Sequence, residues 1–131
     1  HVMVIVTDGG DTTSKQTFNT SLKTVQFAET IVYPILVTPI TNEPGRNLGG
    51  ERVLSQLASN TGGKMFEPVQ SNKLDGIFTE ILRDLRTQYL IGYYPAKLPA
   101  DAPAFHAVKV ETTRPELRVS TRSGYYEDAA R

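Results

Sequence analysis

The chain has 131 residues, of which 39% are hydrophobic and 21% are charged, as in an ordinary globular domain. Its 14 basic and 14 acidic residues cancel, so no overall field attracts nucleic acid or an anionic membrane surface. The absence of cysteine excludes a disulfide framework, a thiolate zinc site and a cysteine nucleophile, and no apolar run approaches the roughly 20 residues of a membrane-spanning helix.

The chain begins with an apolar run that ends in a carboxylate and two glycines. Residues 2–6 are apolar at every position, which predicts a strand covered on both faces in a parallel sheet. The turn Thr7-Asp8-Gly9-Gly10 then lies at the carboxyl edge of that sheet, where open α/β folds bind their ligands. A crossover helix comes next, and its apolar face consists of Phe18, Leu22, Val25 and Ala28.

The alternation of strand and helix continues twice more. Residues 31–37 form a second predicted strand, and residues 38–50, rich in proline and glycine, form a predicted loop. A helix that ends at Gly62-Gly63 leads into a short third strand at residues 64–69. The clearest amphipathic helix follows, with apolar residues at Leu74, Ile77, Phe78, Ile81, Leu82 and Leu85.

After residue 87 the pattern changes from alternating strands and helices to strands alone. We predict β segments at residues 89–94, 105–112 and 117–122, the last followed by Gly-Tyr-Tyr. Proline-containing links between them are typical of antiparallel connections. The sequence therefore predicts an α/β domain of right-handed βαβ units over residues 1–87 and an antiparallel β extension over residues 88–131.

The order of these motifs resembles the second half of a von Willebrand factor A domain, in a bacterial branch with a C-terminal β extension. The Thr-Asp-Gly turn, the helix ending in Thr61-Gly62-Gly63 and the terminal Gly124-Tyr125 carry this resemblance. It implies a Rossmann-like parallel sheet with flanking helices, in a protein that is extracellular, periplasmic or part of the cell envelope. It also implies that residues 2–6 are a central strand whose neighbour lies outside this sequence, so we expect the chain to be a fragment.

The resemblance also implies a metal-ion-dependent adhesion site. That site combines an Asp-x-Ser-x-Ser loop, a threonine from a later loop and the aspartate of the Thr-Asp-Gly turn, and only the aspartate has a counterpart here, Asp8. Magnesium prefers oxygen ligands, so a carboxylate and hydroxyls suit it. We expect Mg²⁺ only in the intact parent protein, bound by Asp8 and supported by the loop residues Thr7, Gly9, Gly10, Asp11 and Thr12.

Simpler interpretations stay open for the same residues. Asp8 can end a strand and begin a turn in any fold, and Asp11 fits a helix N-cap. Three functions follow: a protein-binding module, a structural or assembly domain with a degenerate metal site, and a metal-dependent hydrolase using Asp8 and Asp11. We favour the first and expect no enzyme, because no general base, nucleophile or phosphate loop accompanies the carboxylates. The expected partner is a protein, either the missing N-terminal half or a second chain, with no nucleic acid and no membrane insertion.

Overall fold

The computed structural model describes residues 1–10, 15–37, 47–68, 73–94 and 104–126, and the statements below refer to these ranges. They form a small α/β structure, with a two-stranded parallel sheet and a separate antiparallel pair of strands. In chain order the elements are β1 (Val2–Thr7), α1 (Phe18–Phe27), β2 (Ile31–Leu36), α2 (Leu48–Thr61), α3 (Leu74–Arg86), β3 (Phe105–Ala107) and β4 (Gly124–Tyr126).

The first two strands are parallel and in register from Val2 opposite Ile31 to Thr7 opposite Leu36. The predicted strands and the crossover helix between them are confirmed. Pro34 lies inside β2, where its missing N–H faces away from β1. The N–H groups of Ile31 and Val37 donate to β1, at 3.0 and 2.8 Å, so the even-numbered positions of β2 point to its other edge.

Helices cover both faces of β2. On one face, Tyr33 and Ile35 pack with Ile77 and Ile81 of α3 in a buried cluster. Val32 and Leu36 alternate to the opposite face and are fully buried there, on the side where α2 packs against β2. The amphipathic pattern thus predicted α3 correctly, but only part of its apolar face is buried: Ile77 and Ile81 are, whereas Phe78 and Leu82 are exposed.

The prediction of a third strand at residues 64–69 is wrong for most of the described part of that range, where only a single-residue bridge forms. Phe66 alone forms a parallel bridge to Ile35, with its N–H donating to Pro34 and its carbonyl accepting from Leu36, both at 2.8 Å. The next rung of this ladder needs an N–H at position 34, which proline lacks. The bridge therefore stops after one residue.

The loop predicted at residues 38–50 is too long at its end. Residues 38–46 lie outside the described part of the chain, but Leu48, Gly49 and Gly50 already form the first turn of α2. The Asn47 side chain caps this helix by accepting from the Gly50 N–H at 2.9 Å. The predicted glycine stop is confirmed, since Gly62 ends α2 in the left-handed conformation at φ 86°.

The C-terminal strands are shorter than predicted. β3 and β4 pair antiparallel, with Phe105 opposite Tyr126 and Ala107 opposite Gly124. Residues 117–122 form no strand, and neither do residues 89–94, which are exposed and pair with no described strand. The β3–β4 pair packs on α1, where the Phe27 and Tyr126 rings stack at 4.9 Å between centroids.

Candidate functional site

The turn after β1 is the candidate site, and the side chains before the two glycines hold its backbone. The Thr7 hydroxyl accepts from the Gly9 N–H at 3.1 Å, and Oδ1 of Asp8 accepts from the Gly10 N–H at 3.0 Å. The Thr7 carbonyl accepts from the Val37 N–H at 2.8 Å, which fixes the turn to the end of β2. Asp8 is exposed, so its carboxylate is presented to solvent at the carboxyl edge of the sheet.

Both glycines that meet beneath this turn are required by geometry. Gly9 has φ 83°, and a Cβ added there would lie 3.1 Å from the Leu36 side chain. A Cβ on Gly50 would overlap the Gly9 carbonyl, so only glycine lets the first turn of α2 approach this closely. The amino end of α2, with its partial positive charge, therefore lies directly against the loop that carries Asp8.

Glu51 is a second carboxylate near the candidate site, and the sequence analysis missed it. It is only 8% exposed, and its Cγ lies 3.8 Å from the position that a Cβ on Gly9 would occupy. A carboxylate in the first turn of a helix is stabilised by the helix dipole, so Glu51 fits this place. The available signal was an acidic residue four positions after the capping residue Asn47, in the first turn of a helix, but only the fold brings it to Gly9.

The arrangement fits one arm of a magnesium site. Magnesium takes about six oxygen ligands and usually keeps several waters, so one or two carboxylates suffice when other groups complete the shell. Asp8 is accessible for such a role. Within the described ranges, however, no three histidine, cysteine, aspartate or glutamate residues come together as a metal-binding group.

The remaining predicted site residues divide into two groups. Thr7, Gly9 and Gly10 lie in the turn and support Asp8 as described. Asp11 and Thr12 lie outside the described residues, so their predicted part in the metal loop stays a prediction. The interpretation of Asp11 as the N-cap of the crossover helix is wrong, because α1 begins at Phe18 and Thr17 caps it. The two histidines lie away from the turn: His1 begins the chain at the opposite end of β1, and His106 lies in β3 with its ring 5.2 Å from that of Tyr125.

One side of the sheet next to this site is uncovered. In the described structure β1 pairs with β2 alone, which leaves its second edge unpaired. Val2, Val4 and Val6 point to the α3 side of the sheet and are all exposed, Val6 by 59%. The expectation that β1 is covered on both faces is therefore wrong for this chain by itself, because the described elements cover β2 and leave β1 at the edge.

Comparison with known proteins adds information on the fold alone. No family model and no curated protein matches the sequence. A crystal structure of an uncharacterized membrane spanning protein from Vibrio fischeri aligns with a TM-score of 0.51 and 17% identity, over 66% of this chain and 47% of that chain. The two proteins therefore share a fold over the aligned part, and this chain spans about half of the other.

None of the helices within the described ranges is both long enough and apolar enough to cross a lipid bilayer.

Proposed function

We propose that this chain is the C-terminal half of a von Willebrand factor A-type protein-binding module, with a Rossmann-like sheet. In this proposal Asp8 is one arm of a metal-ion-dependent adhesion site, and the other ligands come from outside the chain. The observation that carries it is the position of Asp8, exposed on a hydrogen-bonded turn at the carboxyl edge of a parallel sheet.

The uncovered side of β1 supports a second body of protein next to this site. An unpaired apolar strand presents a row of free N–H and C=O groups and attracts another strand. β1 has six residues, Val2–Thr7, and none of them is charged. A strand added there parallel to β1 places its own carboxyl end beside Asp8, where the proposed site needs further metal ligands.

The exposed apolar flank of α3 extends the same surface. Ile77 and Ile81 face the sheet, while Glu80 and Asp84 reach Lys64 on the flank away from β1. Successive residues of a helix are about 100° apart, so Phe78 and Leu82 lie on the opposite flank, above β1. Both are exposed by about half, at 44% and 53%. The partner is therefore expected to bring an element that packs on β1 and α3 together.

Calorimetric titration of Mn²⁺ and Mg²⁺ into the intact protein and into its Asp8→Asn variant tests whether Asp8 binds the metal. The amide oxygen still accepts from the Gly10 N–H, so the turn is kept while the charge is lost. We expect affinity to fall by about tenfold or more, since even groups that only support a ligand contribute 10–100-fold.

The control variant is Glu111→Gln, which removes an exposed carboxylate paired with Lys109 in the C-terminal part of the chain. Its affinity is expected to equal that of the unmodified protein. Equal metal affinity in the Asp8→Asn variant, or no metal binding by the intact protein, contradicts the metal arm and favours the structural or assembly role. Turnover of a phosphoester or peptide that disappears in Asp8→Asn favours the hydrolase.

A further inference from the structure

The segment of residues 89–94 is the largest run of exposed apolar side chains in the described chain that β1 and α3 do not account for. Five of its six residues are large and mostly exposed: Tyr89, Leu90, Ile91, Tyr93 and Tyr94. It has no regular secondary structure, carries no charge and is rich in residues that favour strands. Such a segment is stabilised by hydrogen bonds when it pairs with a strand edge that has free backbone N–H and C=O groups.

The free edge of β3 offers those groups. The Val108 N–H donates to the Ser123 carbonyl at 2.9 Å, so the backbone groups of His106 and Val108 face β4. Backbone groups alternate in direction along an antiparallel strand. The N–H and C=O groups of Phe105, Ala107 and Lys109 therefore point to the opposite side, where the described structure places no strand.

The segment and this edge lie at the same end of the molecule. Lys64, just before the Phe66 bridge, pairs with Asp84 near the end of α3 at 3.2 Å, so α3 ends at the amino end of the strands. The β3–β4 pair is fixed to that end as well, because the Ser123 N–H donates to Asn60 in the last turn of α2 at 3.0 Å. The segment and β3 are also close in the sequence, and a short separation keeps the entropy cost of bringing two segments together low.

We propose that residues 89–94 move from the exposed position described above onto the free edge of β3, where they form the third strand of an antiparallel sheet. The register places Tyr94 opposite Phe105 and Gly92 opposite Ala107, which itself lies opposite Gly124. The three smallest residues then form one row across the sheet, beside a row of three aromatic rings that includes Tyr126. The Phe105 and Tyr126 rings of that row are already 5.0 Å apart.

The third strand also explains how so short a pair of strands is stable. A ladder of three residues in each of two strands is marginal by itself, and three strands with an apolar face are needed for stability. Seating the segment buries apolar side chains and removes an edge that could pair with other chains. The proposal does not depend on Asp8 or on any metal.

A designed disulfide tests the register, because the chain has no cysteine of its own. In this register Ile91 lies opposite Val108 in a pair without backbone hydrogen bonds, where Cα atoms are about 4.5 Å apart, within disulfide range. We expect Ile91→Cys with Val108→Cys to form an intramolecular disulfide under mild oxidation, detected by mass and by mobility without reductant. The control Leu90→Cys with Val108→Cys places the cysteines on opposite faces and is expected to stay reduced.

Amide hydrogen exchange on the unmodified chain gives an independent readout that needs no variant to fold. Residues 90, 92 and 94 direct their N–H groups to β3 in this register, so we expect them to exchange about tenfold more slowly than residues 89, 91 and 93. A disulfide-linked dimer, equal crosslinking of both cysteine pairs, or uniformly fast exchange of all six amides overturns the proposal.

Discussion

At the scale of single residues, Thr61 joins α2 to β2 through one buried hydroxyl. Its Oγ1 accepts from the Val32 N–H at 3.0 Å and donates within α2, to Leu57 at 2.9 Å or Ala58 at 3.0 Å. Pro34 prevents a regular third strand here, so Val32 depends on this side chain for a hydrogen bond. The Thr61 hydroxyl thus supplies the hydrogen bond that a neighbouring strand would otherwise give to the Val32 N–H.

We expect Thr61→Val to lower the free energy of unfolding by about 1–3 kcal/mol, because valine keeps the shape but leaves the buried Val32 N–H without an acceptor. Urea unfolding measures the loss. Thr79→Val is the matched control: its hydroxyl donates to Asp75 on the exposed side of α3, so the change is expected within about 0.5 kcal/mol. Equal stabilities of the two variants contradict the role assigned to Thr61.

The candidate site shows how far single residues could be predicted. An aspartate followed by two glycines after an apolar run was enough to predict Asp8 on a turn at a strand end, because that chemistry is local. Glu51 and Gly50 could not be placed in the same way. They lie about 40 residues later in the sequence, and only the packing of α2 against Gly9 brings them to the turn.

At the scale of elements, α3 packs on β2 through a buried apolar cluster, and an ion-paired group of Lys64, Glu80 and Asp84 lies beside that cluster. Burial and the nearby Asp84 raise the pKa of Tyr33, and the Lys64 charge only partly opposes them. Burial lowers the pKa of Lys64, but hydrogen bonds to Glu80 and Asp84 outweigh it, so that pKa is also raised. Both groups therefore keep their protons to higher pH in the folded chain than in the unfolded chain.

This coupling predicts alkaline sensitivity. The unfolded chain releases protons first, so the contribution of both groups is fully present below pH 10.0, the ordinary pKa of tyrosine, and is lost as pH rises through the raised values. We expect Tyr33→Phe to flatten part of the fall in the free energy of unfolding above that pH. Urea unfolding on both sides of pH 10.0 measures it, and identical profiles for the two proteins contradict the prediction.

Helices and strands were predicted well where the sequence pattern is local, and poorly where a strand depends on pairing with a neighbouring strand. The period of Leu74, Ile77 and Ile81 describes a helix that buries one face, and α3 forms as predicted. Residues 64–69 and 89–94 have strand composition, but a strand also needs a neighbour with free donors and acceptors. The neighbour of residues 64–69 contains Pro34, and residues 89–94 are not paired with any strand in the described structure, which no composition could reveal.

At the scale of the whole molecule, the sheet is uncovered along β1. We expect the isolated chain to self-associate through this strand, because its edge is unpaired and its valines are exposed. Val6→Lys adds a charge where the side chain is already mostly in solvent, so folding is little affected. The self-association constant, measured by sedimentation velocity over a range of concentrations, is expected to fall by about tenfold or more.

Val110→Lys is the control for this experiment, since Val110 is an exposed valine in the C-terminal part of the chain. It adds the same charge away from β1 and is expected to leave association unchanged. If both variants weaken association equally, then net charge is responsible and β1 is not the interface.

Pro34 has a further consequence for how this protein combines with others. Beside β2, the donor at Val32 is taken by Thr61, the donor at Leu36 is taken by Phe66, and position 34 has none. The outer edge of β2 therefore offers no free N–H at positions 32, 34 and 36. The six-residue edge of β1 is unpaired in the described structure and can accept another strand. A strand recruited to β1 extends the sheet next to the turn that carries Asp8. In the proposed function, assembly of the sheet and completion of the metal site are therefore one event.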